Sequence, residues 1–201
     1  ADACHSLGGT WRGQPVGSLA DVSCLSFHPV KHITTGEGGM ALCNDKTLSE
    51  KMRRFRNHGI DSDHARRAEL GTWRYDMVDI GHNYRITDIQ CALGLSQLAK
   101  LPEWLDRRSQ VAAQYQQGIQ DMKGITALGV LPGAQHAYHL FVIRIKSQPK
   151  QLRDAVFAGL RHRGINANVH YTPVYMHPYY SKRKAPKQIN TPNCNSAFNE
   201  I

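Results

Sequence analysis

A chain of 201 residues is long enough for one substantial hydrophobic core, or for one domain and part of a second. Hydrophobic content of 41% and charged content of 20% are ordinary for a soluble globular protein, and no apolar run approaches the roughly 20 residues of a membrane span. A net charge of +9 raises a nucleic-acid partner, but the basic residues scatter over Arg53–Arg56, Arg66–Arg67, Arg107–Arg108, Arg161–Arg163 and Lys182–Lys187. That pattern, without interleaved aromatics, reads as solvated helix faces and argues against nucleic acid.

Asp2 follows the first residue and opens the run DACHSLGG, as an acidic residue at the end of a strand. No strand precedes it, so the sequence reads as cut rather than started. Residues Trp11 to Gly17 read as a loop. Val22–Phe27 and Gly39–Cys43 then read as two short strands enclosing the stretch SFHPVKHITTGEGG. Here Lys31 follows Pro29, which pushes its predecessor towards extended geometry. Gly36, Gly38 and Gly39 follow, allowing close backbone approach.

A lysine on a stiff, crowded turn suits imine formation better than solubility, although a surface lysine is the commoner case. At pH 7 only about one free lysine amine in 2,500 is neutral, and bringing its pKa to neutrality takes about 4–5 kcal/mol of burial or neighbouring cations. His28 and His32 flank it. Asp2 would suit a pyridinium nitrogen and Ser26, with adjacent backbone N–H groups, a phosphate. Together with Lys31 they make the set that a pyridoxal phosphate site requires.

Further along, Asp45 is a good N-cap for a helix over residues 46–58 that Gly59 would end, with Leu48, Met52 and Phe55 facing a core. Gly59–Ile80 reads as a loop in which Trp73 and Tyr75 bury. His58, His64 and His82 lack metal-ligand spacing, so no metal is expected. Thr87 with Gln90 fits a capping box, starting a helix through Ala92, Leu95 and Leu98. Ahead of it, Asn83, Tyr84 and Arg85 suit an anion at a helix N-terminus. Tyr84 and Arg85 equally suit simple interface packing.

Pro102 begins a long amphipathic helix carrying Trp104, Leu105, Val111, Ala112, Tyr115 and Ile119. Tyr138–Ile145 reads as a strand, Gln151–Arg163 as a helix ended by Gly164, and Ile165–His170 as another strand. The expected division is residues 1–101 as part of a large domain, 102–187 as a small α/β domain, and 188–201 as an irregular tail without a final helix. The five cysteines form no CxxC pair and are odd in number, which favours a reducing cytoplasm over disulfides.

The runs SFHPVKHITTGEGG, DACHSLG, FRNHG and NYRITDIQCALGLSQL together resemble the DegT/DnrJ/EryC1/StrS family of nucleotide-sugar aminotransferases, from Asp2 to about Lys184. The resemblance implies a type I PLP-dependent aminotransferase fold of α/β class, here lacking its N-terminal part, with pyridoxal 5'-phosphate as cofactor and a homodimer with shared active sites. It implies transfer of an amino group, usually from glutamate, to C4 of a UDP-linked 4-keto-6-deoxy sugar. By the same resemblance Lys31 is catalytic, and Asp2, His5, Ser26 and, across the dimer, Asn83 bind the cofactor. Tyr84, Arg85, His170 and Tyr171 then line the substrate side. On residue type alone, His170 and Tyr171 equally suit a buried turn; for His5 the cofactor side is favoured over a histidine satisfied in a turn. Rival readings are a 3-amino-sugar transaminase of the same family and a fragment that folds and dimerises without turnover. The family's dehydrating members carry histidine at the lysine position, which Lys31 argues against.

Overall fold

The computed structural model describes residues 1–146, 150–182 and 191–201. The chain divides into two compact units, residues 1–111 with 130–140, and residues 112–129 with 141–201. The expected break at 101/102 moves because helix α4 runs uninterrupted over Leu101–Ile119. Its first turn belongs to the core of the first unit, where Leu101 is buried and Trp104 and Leu105 pack against it.

In the first unit, β1 (Thr10–Trp11) and β2 (Gln14–Pro15) pair across a two-residue turn, where a plain loop was expected. Arg12 and Gly13 at φ 48° and 78° give the left-handed pair that such hairpins favour. Strand β3 (Ser23–Ser26) pairs antiparallel with β4 (Gly39–Leu42), with Ser26 opposite Gly39, as the sequence leads one to expect. A Cβ on Gly39 would lie 2.7 Å from the Leu25 carbonyl oxygen, so only glycine fits there. The other edge of β3 receives the chain start, with Asp2 bridged in parallel to Cys24. Ala3, Leu25, Phe27, Ile33 and Leu101 form the core beneath this sheet, joined by Leu7, Val16 and Leu42. Each large apolar side chain so buried stabilises the unit by about 1.5–3 kcal/mol.

Helix α1 (Lys46–Phe55) is capped by Asp45, whose carboxylate accepts the Leu48 N–H at 2.6 Å. It stops three residues short of expectation because His58 and Gly59 turn left-handed, at φ 59° and 69°. Its apolar stripe is not a core: Leu48 and Met52 are half-buried and Phe55 is exposed. The supposed loop that follows holds a short helix α2 (His64–Glu69), capped by Asp63. Trp73 and Tyr75 do not bury, at 87% and 54% exposure, and the Arg67 guanidinium lies over the Tyr75 ring at 5.0 Å. Helix α3 (Asp88–Leu98) begins with the capping box of Thr87 and Gln90. Strand β6 (Ala134–Gln135) returns to pair with β1, which is why residues 130–140 belong to this unit.

In the second unit, β5 (Ile125–Ala127) pairs antiparallel with β7 (Ile143–Ile145). The expected strand from Tyr138 is cut short because Tyr138 is left-handed, at φ 46°. Helix α5 (Lys150–His162) ends at Gly164, φ 77°. Residues 165–170 form no strand. The N–H groups of Ile165 and Ala167 are spent on local turns to Leu160 and Ile165 instead. A 3-10 turn (Val174–Met176) and a short helix α6 (Pro178–Ser181) follow.

The tail is likewise corrected. Residues Pro192–Glu200 form a final helix, α7, with proline pre-set for its first turn. Glu200 accepts from Arg144 Nε at 2.8 Å, Phe198 lies under the Arg153 guanidinium at 4.8 Å, and Tyr175 bonds Asn195. Polar composition hid these tertiary anchors. Residues 188–190 of that tail, and 183–187 of the basic run with Lys184, lie outside the described residues.

Candidate active site

Strand β3 ends at Ser26, and Phe27 closes the neck of the turn that carries Lys31. The Phe27 carbonyl accepts both the Thr35 N–H at 3.0 Å and the Thr34 hydroxyl at 2.9 Å, while its N–H donates to Gly38 at 2.8 Å. Inside that loop the Lys31 N–H donates to the His28 carbonyl at 2.9 Å, with Pro29 in the second turn position. Phe27, His32 and Ile33 are buried on either side, and Lys31 itself is half-buried. The lysine backbone is thus held at both ends rather than trailing in solvent.

Asp2 accepts the Cys4 N–H at 3.1 Å. That contact with Cys4 holds its carboxyl below the ordinary carboxylate range, with smaller help from the positive charges of His5 and Lys31. Asp2 is exposed, ionised and within electrostatic reach of the lysine. Ser26 is half-buried, and its hydroxyl accepts a long bond from the His28 N–H at 3.4 Å, which leaves its own O–H to donate. His28 also meets Glu37 at 3.9 Å on the surface. His32 does not flank Lys31 as a cation: burial lowers its pKa, and its Nε2 lies 3.0 Å from the Ala137 carbonyl.

The Asn83 cluster is built by two segments laced together. His58 donates to His82 at 2.9 Å, His82 to Phe55 at 2.7 Å and Tyr84 to Arg56 at 2.9 Å. Asn57 bridges Asn83, and Asn57 Oδ1 accepts from Arg85 at 2.7 Å. Tyr84 stacks on His82 at 4.8 Å and remains 67% exposed, so it is not packed into this unit. Helix α3 ties this cluster to the lysine turn. Gln90 Nε2 donates to the Glu37 carbonyl at 2.9 Å, and Gln97 Oε1 accepts the Thr34 N–H at 2.8 Å.

Asp2, His5, Ser26, Lys31, Asn83, Tyr84 and Arg85 therefore share the first unit. His170 and Tyr171 lie in the second, rings stacked at 4.0 Å across a cis peptide. An amine, an ionised carboxylate and a free hydroxyl donor are the groups that a pyridine aldehyde phosphate needs, and the donor set fits it. Two residues escaped sequence reasoning as neighbours of this site, His139 and Arg108. His139 rests 4.4 Å from His5 and 5.3 Å from His32, ring to ring. The HAYH spacing alone carries no such signal. Among the described residues no group of three or more metal-type side chains could hold a metal ion, and no helix is long and apolar enough to cross a membrane. A depression of about 840 Å³ lined by Ser18–Asp21 and the start of α1 includes none of these residues.

The model of the DegT/DnrJ/EryC1/StrS aminotransferase family matches residues 1–201, the whole chain. The chain belongs to this family. Among curated relatives, the UDP-4-amino-4,6-dideoxy-N-acetyl-beta-L-altrosamine transaminase of Campylobacter jejuni is 36% identical over 181 residues, covering 90% of this chain and 46% of its own length. Helicobacter pylori PseC, an aminotransferase involved in the biosynthesis of pseudoaminic acid, superposes with a TM-score of 0.86 at 33% identity, over 99% of this chain and 51% of PseC. The sugar aminotransferase Spr1654 of Streptococcus pneumoniae, in its PMP form, gives 0.81 at 33% identity, over 90% of this chain and 47% of Spr1654. Spr1654 is also solved in a PLP form, so pyridoxal phosphate is the cofactor of this DegT/DnrJ/EryC1/StrS neighbourhood. The chain spans about half the length of the relatives it matches. Its α/β architecture corresponds to that share of a PLP-dependent sugar aminotransferase.

Proposed function

We propose that this chain carries the lysine half of a pyridoxal-phosphate site in a sugar aminotransferase. The reaction moves an amino group from glutamate to C4 of a UDP-linked 4-keto-6-deoxy-N-acetyl-hexosamine, as in pseudaminic acid biosynthesis. The observation that carries the reading is Lys31 on its closed turn, within electrostatic reach of an ionised Asp2.

When bound, pyridoxal phosphate supplies the electron sink that the chemistry needs. The chain's own residues do the rest. Lys31 Nζ takes the proton from Cα of the amino donor and, in the return half, delivers one to C4 of the sugar. Asp2, held ionised by Cys4, accepts a hydrogen bond from a protonated ring nitrogen and keeps that proton in place. Ser26 donates its hydroxyl to the phosphate, and His5 stands beside the ring. Asn83 reaches the phosphate of a partner subunit's site, with Tyr84 and Arg85 beside it. His170 and Tyr171 form the sugar-side wall.

A homodimer follows from the same reading and is supported by apolar side chains left in the open on α3, Ile89 at 85% and Leu95 at 68% exposure. Five free thiols support a cytoplasmic location. The test is spectral and chemical. With added cofactor the protein should gain a visible band, and glutamate should bleach it with stoichiometric release of 2-oxoglutarate. A band that glutamate leaves untouched sinks the donor assignment, and no band at all sinks the site.

A further inference from the structure

Helix α3 turns its polar side, not its apolar one, to the unit that holds it. Ile86, Gln90, Gly94 and Gln97, spaced as one helix face, are half-buried, whereas Ile89, Leu93, Leu95 and Leu98 are exposed. What the half-buried face meets is the limb by which the Lys31 turn returns to β4. Gln97 Oε1 accepts the Thr34 N–H at 2.8 Å, and a Cβ on Gly94 would stand 2.9 Å from the Thr35 methyl. Gln90 Nε2 donates to the Glu37 carbonyl at 2.9 Å, and a Cβ on Gly38 would lie 3.2 Å from Ile86 Cδ1.

This limb leads straight to the groups of the site. The Gly38 carbonyl accepts the Phe27 N–H at 2.8 Å, closing the neck of the Lys31 turn, and Gly39 stands opposite Ser26 across the sheet. Gln90 serves two segments with one amide. Its Oε1 accepts the Thr87 N–H and the Thr87 hydroxyl, both at 3.0 Å, which completes the capping box, while its Nε2 reaches Glu37. Only one orientation of the amide satisfies both sides. Asn83 stands four residues ahead of that cap.

The Glu37 carbonyl also accepts the Thr35 hydroxyl at 2.7 Å, and Phe27 and Gln97 hold the turn elsewhere. The turn therefore folds without Gln90. What the Gln90 amide adds is register, the distance between the start of α3 and the neck of the turn.

We propose that Gln90 is a positioning residue of the cofactor site: its amide sets the start of α3 against the return limb of the Lys31 turn, so that Lys31, the Ser26 hydroxyl and Asn83 keep one register. The inference rests on the reading of those three residues given under the proposed function. Pre-set geometry of this kind lowers the ordering that a ligand must otherwise impose.

The experiment separates the two halves of the amide. Gln90→Glu keeps an acceptor for the Thr87 N–H, as an ordinary capping box does, and loses the donor to Glu37. Gln90→Met keeps the length and loses both. The full chain is followed by urea denaturation, by amide hydrogen exchange without cofactor, and by the dissociation constant of pyridoxal phosphate. Gln90→Met should lower the urea midpoint, and Gln90→Glu should leave it near that of the wild type. Both variants should nevertheless weaken cofactor binding about tenfold and speed exchange at the Phe27 and Thr35 amides by a similar factor. Unchanged cofactor affinity in Gln90→Glu overturns the proposal. So does an affinity loss that follows the midpoint, large in Gln90→Met and absent in Gln90→Glu, since that is the mark of a helix cap and nothing more. A wild type that takes up no cofactor counts against Lys31 instead. The exchange measurement then decides for Gln90, and wild-type exchange rates in Gln90→Glu overturn its tie to the turn.

Discussion

Gln97 accepts the backbone N–H of Thr34 at 2.8 Å, so the helix that follows Asn83 is fastened directly to the turn that carries Lys31. Thr34 is half-buried, and its N–H spends its hydrogen bond on this amide oxygen. Gln97→Leu should therefore cost about 1–3 kcal/mol, the desolvation of one orphaned donor. Urea denaturation should show a lower midpoint at unchanged slope. Cofactor affinity should fall with it, because the turn loses one of its two ties to α3. An unchanged midpoint would mean that the Phe27 bonds and the Gln90–Glu37 tie hold the turn without Gln97.

Lys31 itself admits a sharper test. Lys31→Ala should abolish the visible band on cofactor addition and any covalent labelling of the protein by borohydride in its presence. Lys31→Arg keeps the charge without a nucleophilic amine at neutral pH, and should behave like the alanine variant. Both should melt within about 0.5 kcal/mol of the wild type, since the side chain is only half-buried. A labelled lysine elsewhere in either variant moves the site away from this turn.

The two glycines where the Asn83 segment crosses the end of α1 leave no room for substitution. A Cβ on Gly59 would stand 1.7 Å from the Asp79 carbonyl oxygen, and one on Gly81 would stand 2.1 Å from the Gly59 nitrogen. Gly59 is also left-handed at φ 69°. Gly59→Ala and Gly81→Ala should each cost about 2 kcal/mol or more, and the double variant should cost less than their sum because both break the same crossing. Chemical denaturation of the set checks this, and additive losses would separate the two positions.

What the sequence disclosed was the part dictated by neighbours along the chain. Asp45 and Thr87 with Gln90 announce helix starts because a side-chain oxygen three residues away satisfies an orphan N–H, and Gly164 ends α5 for an equally local reason. The motifs were long enough to name the family. What it hid depends on who comes to lie beside whom. Trp73 was expected to bury because large aromatics usually do, but its environment is set by groups that pattern cannot supply. His32 and Ala137 meet across 105 positions, so nothing in the spacing around either one foretells the row of imidazoles. Helix α7 was missed because its anchors are Arg144 and Arg153, far upstream, rather than an apolar stripe of its own.

That row of imidazoles makes a prediction in acid. His139, His32 and His136 all have folded pKa values below the ordinary 6.5, His139 at about 4. Between about pH 6.5 and 4 the unfolded chain therefore binds more protons than the folded one, and stability must fall as pH falls through that window. Screening keeps the share of the half-buried His139 and the exposed His136 modest, while His32 is buried. Asp2 and Glu200, with folded values below normal, lose their contribution only at still lower pH. Denaturation midpoints taken across the window should decline in the wild type and decline less in His139→Phe, which has no proton to bind. Parallel curves would place the acid sensitivity elsewhere.

The exposed apolar residues of α3 are the remaining test, since Ile89 and Leu95 stand largely open within the unit that folds them. On the homodimer reading a second copy of the protein covers Leu95, and an arginine there would bury an unpaired charge in the interface, a penalty of several kcal/mol. Leu95→Arg should therefore shift the protein to monomer in sedimentation at micromolar concentration. Far-UV dichroism should be unchanged, because the residue is 68% exposed within its own unit. Asn83 is offered to the partner's site on the same reading, so the monomeric variant should also bind pyridoxal phosphate more weakly, by about tenfold or more. A wild type that sediments as a monomer, or a Leu95→Arg protein that stays dimeric, removes α3 from the interface and leaves Asn83 without the role proposed for it.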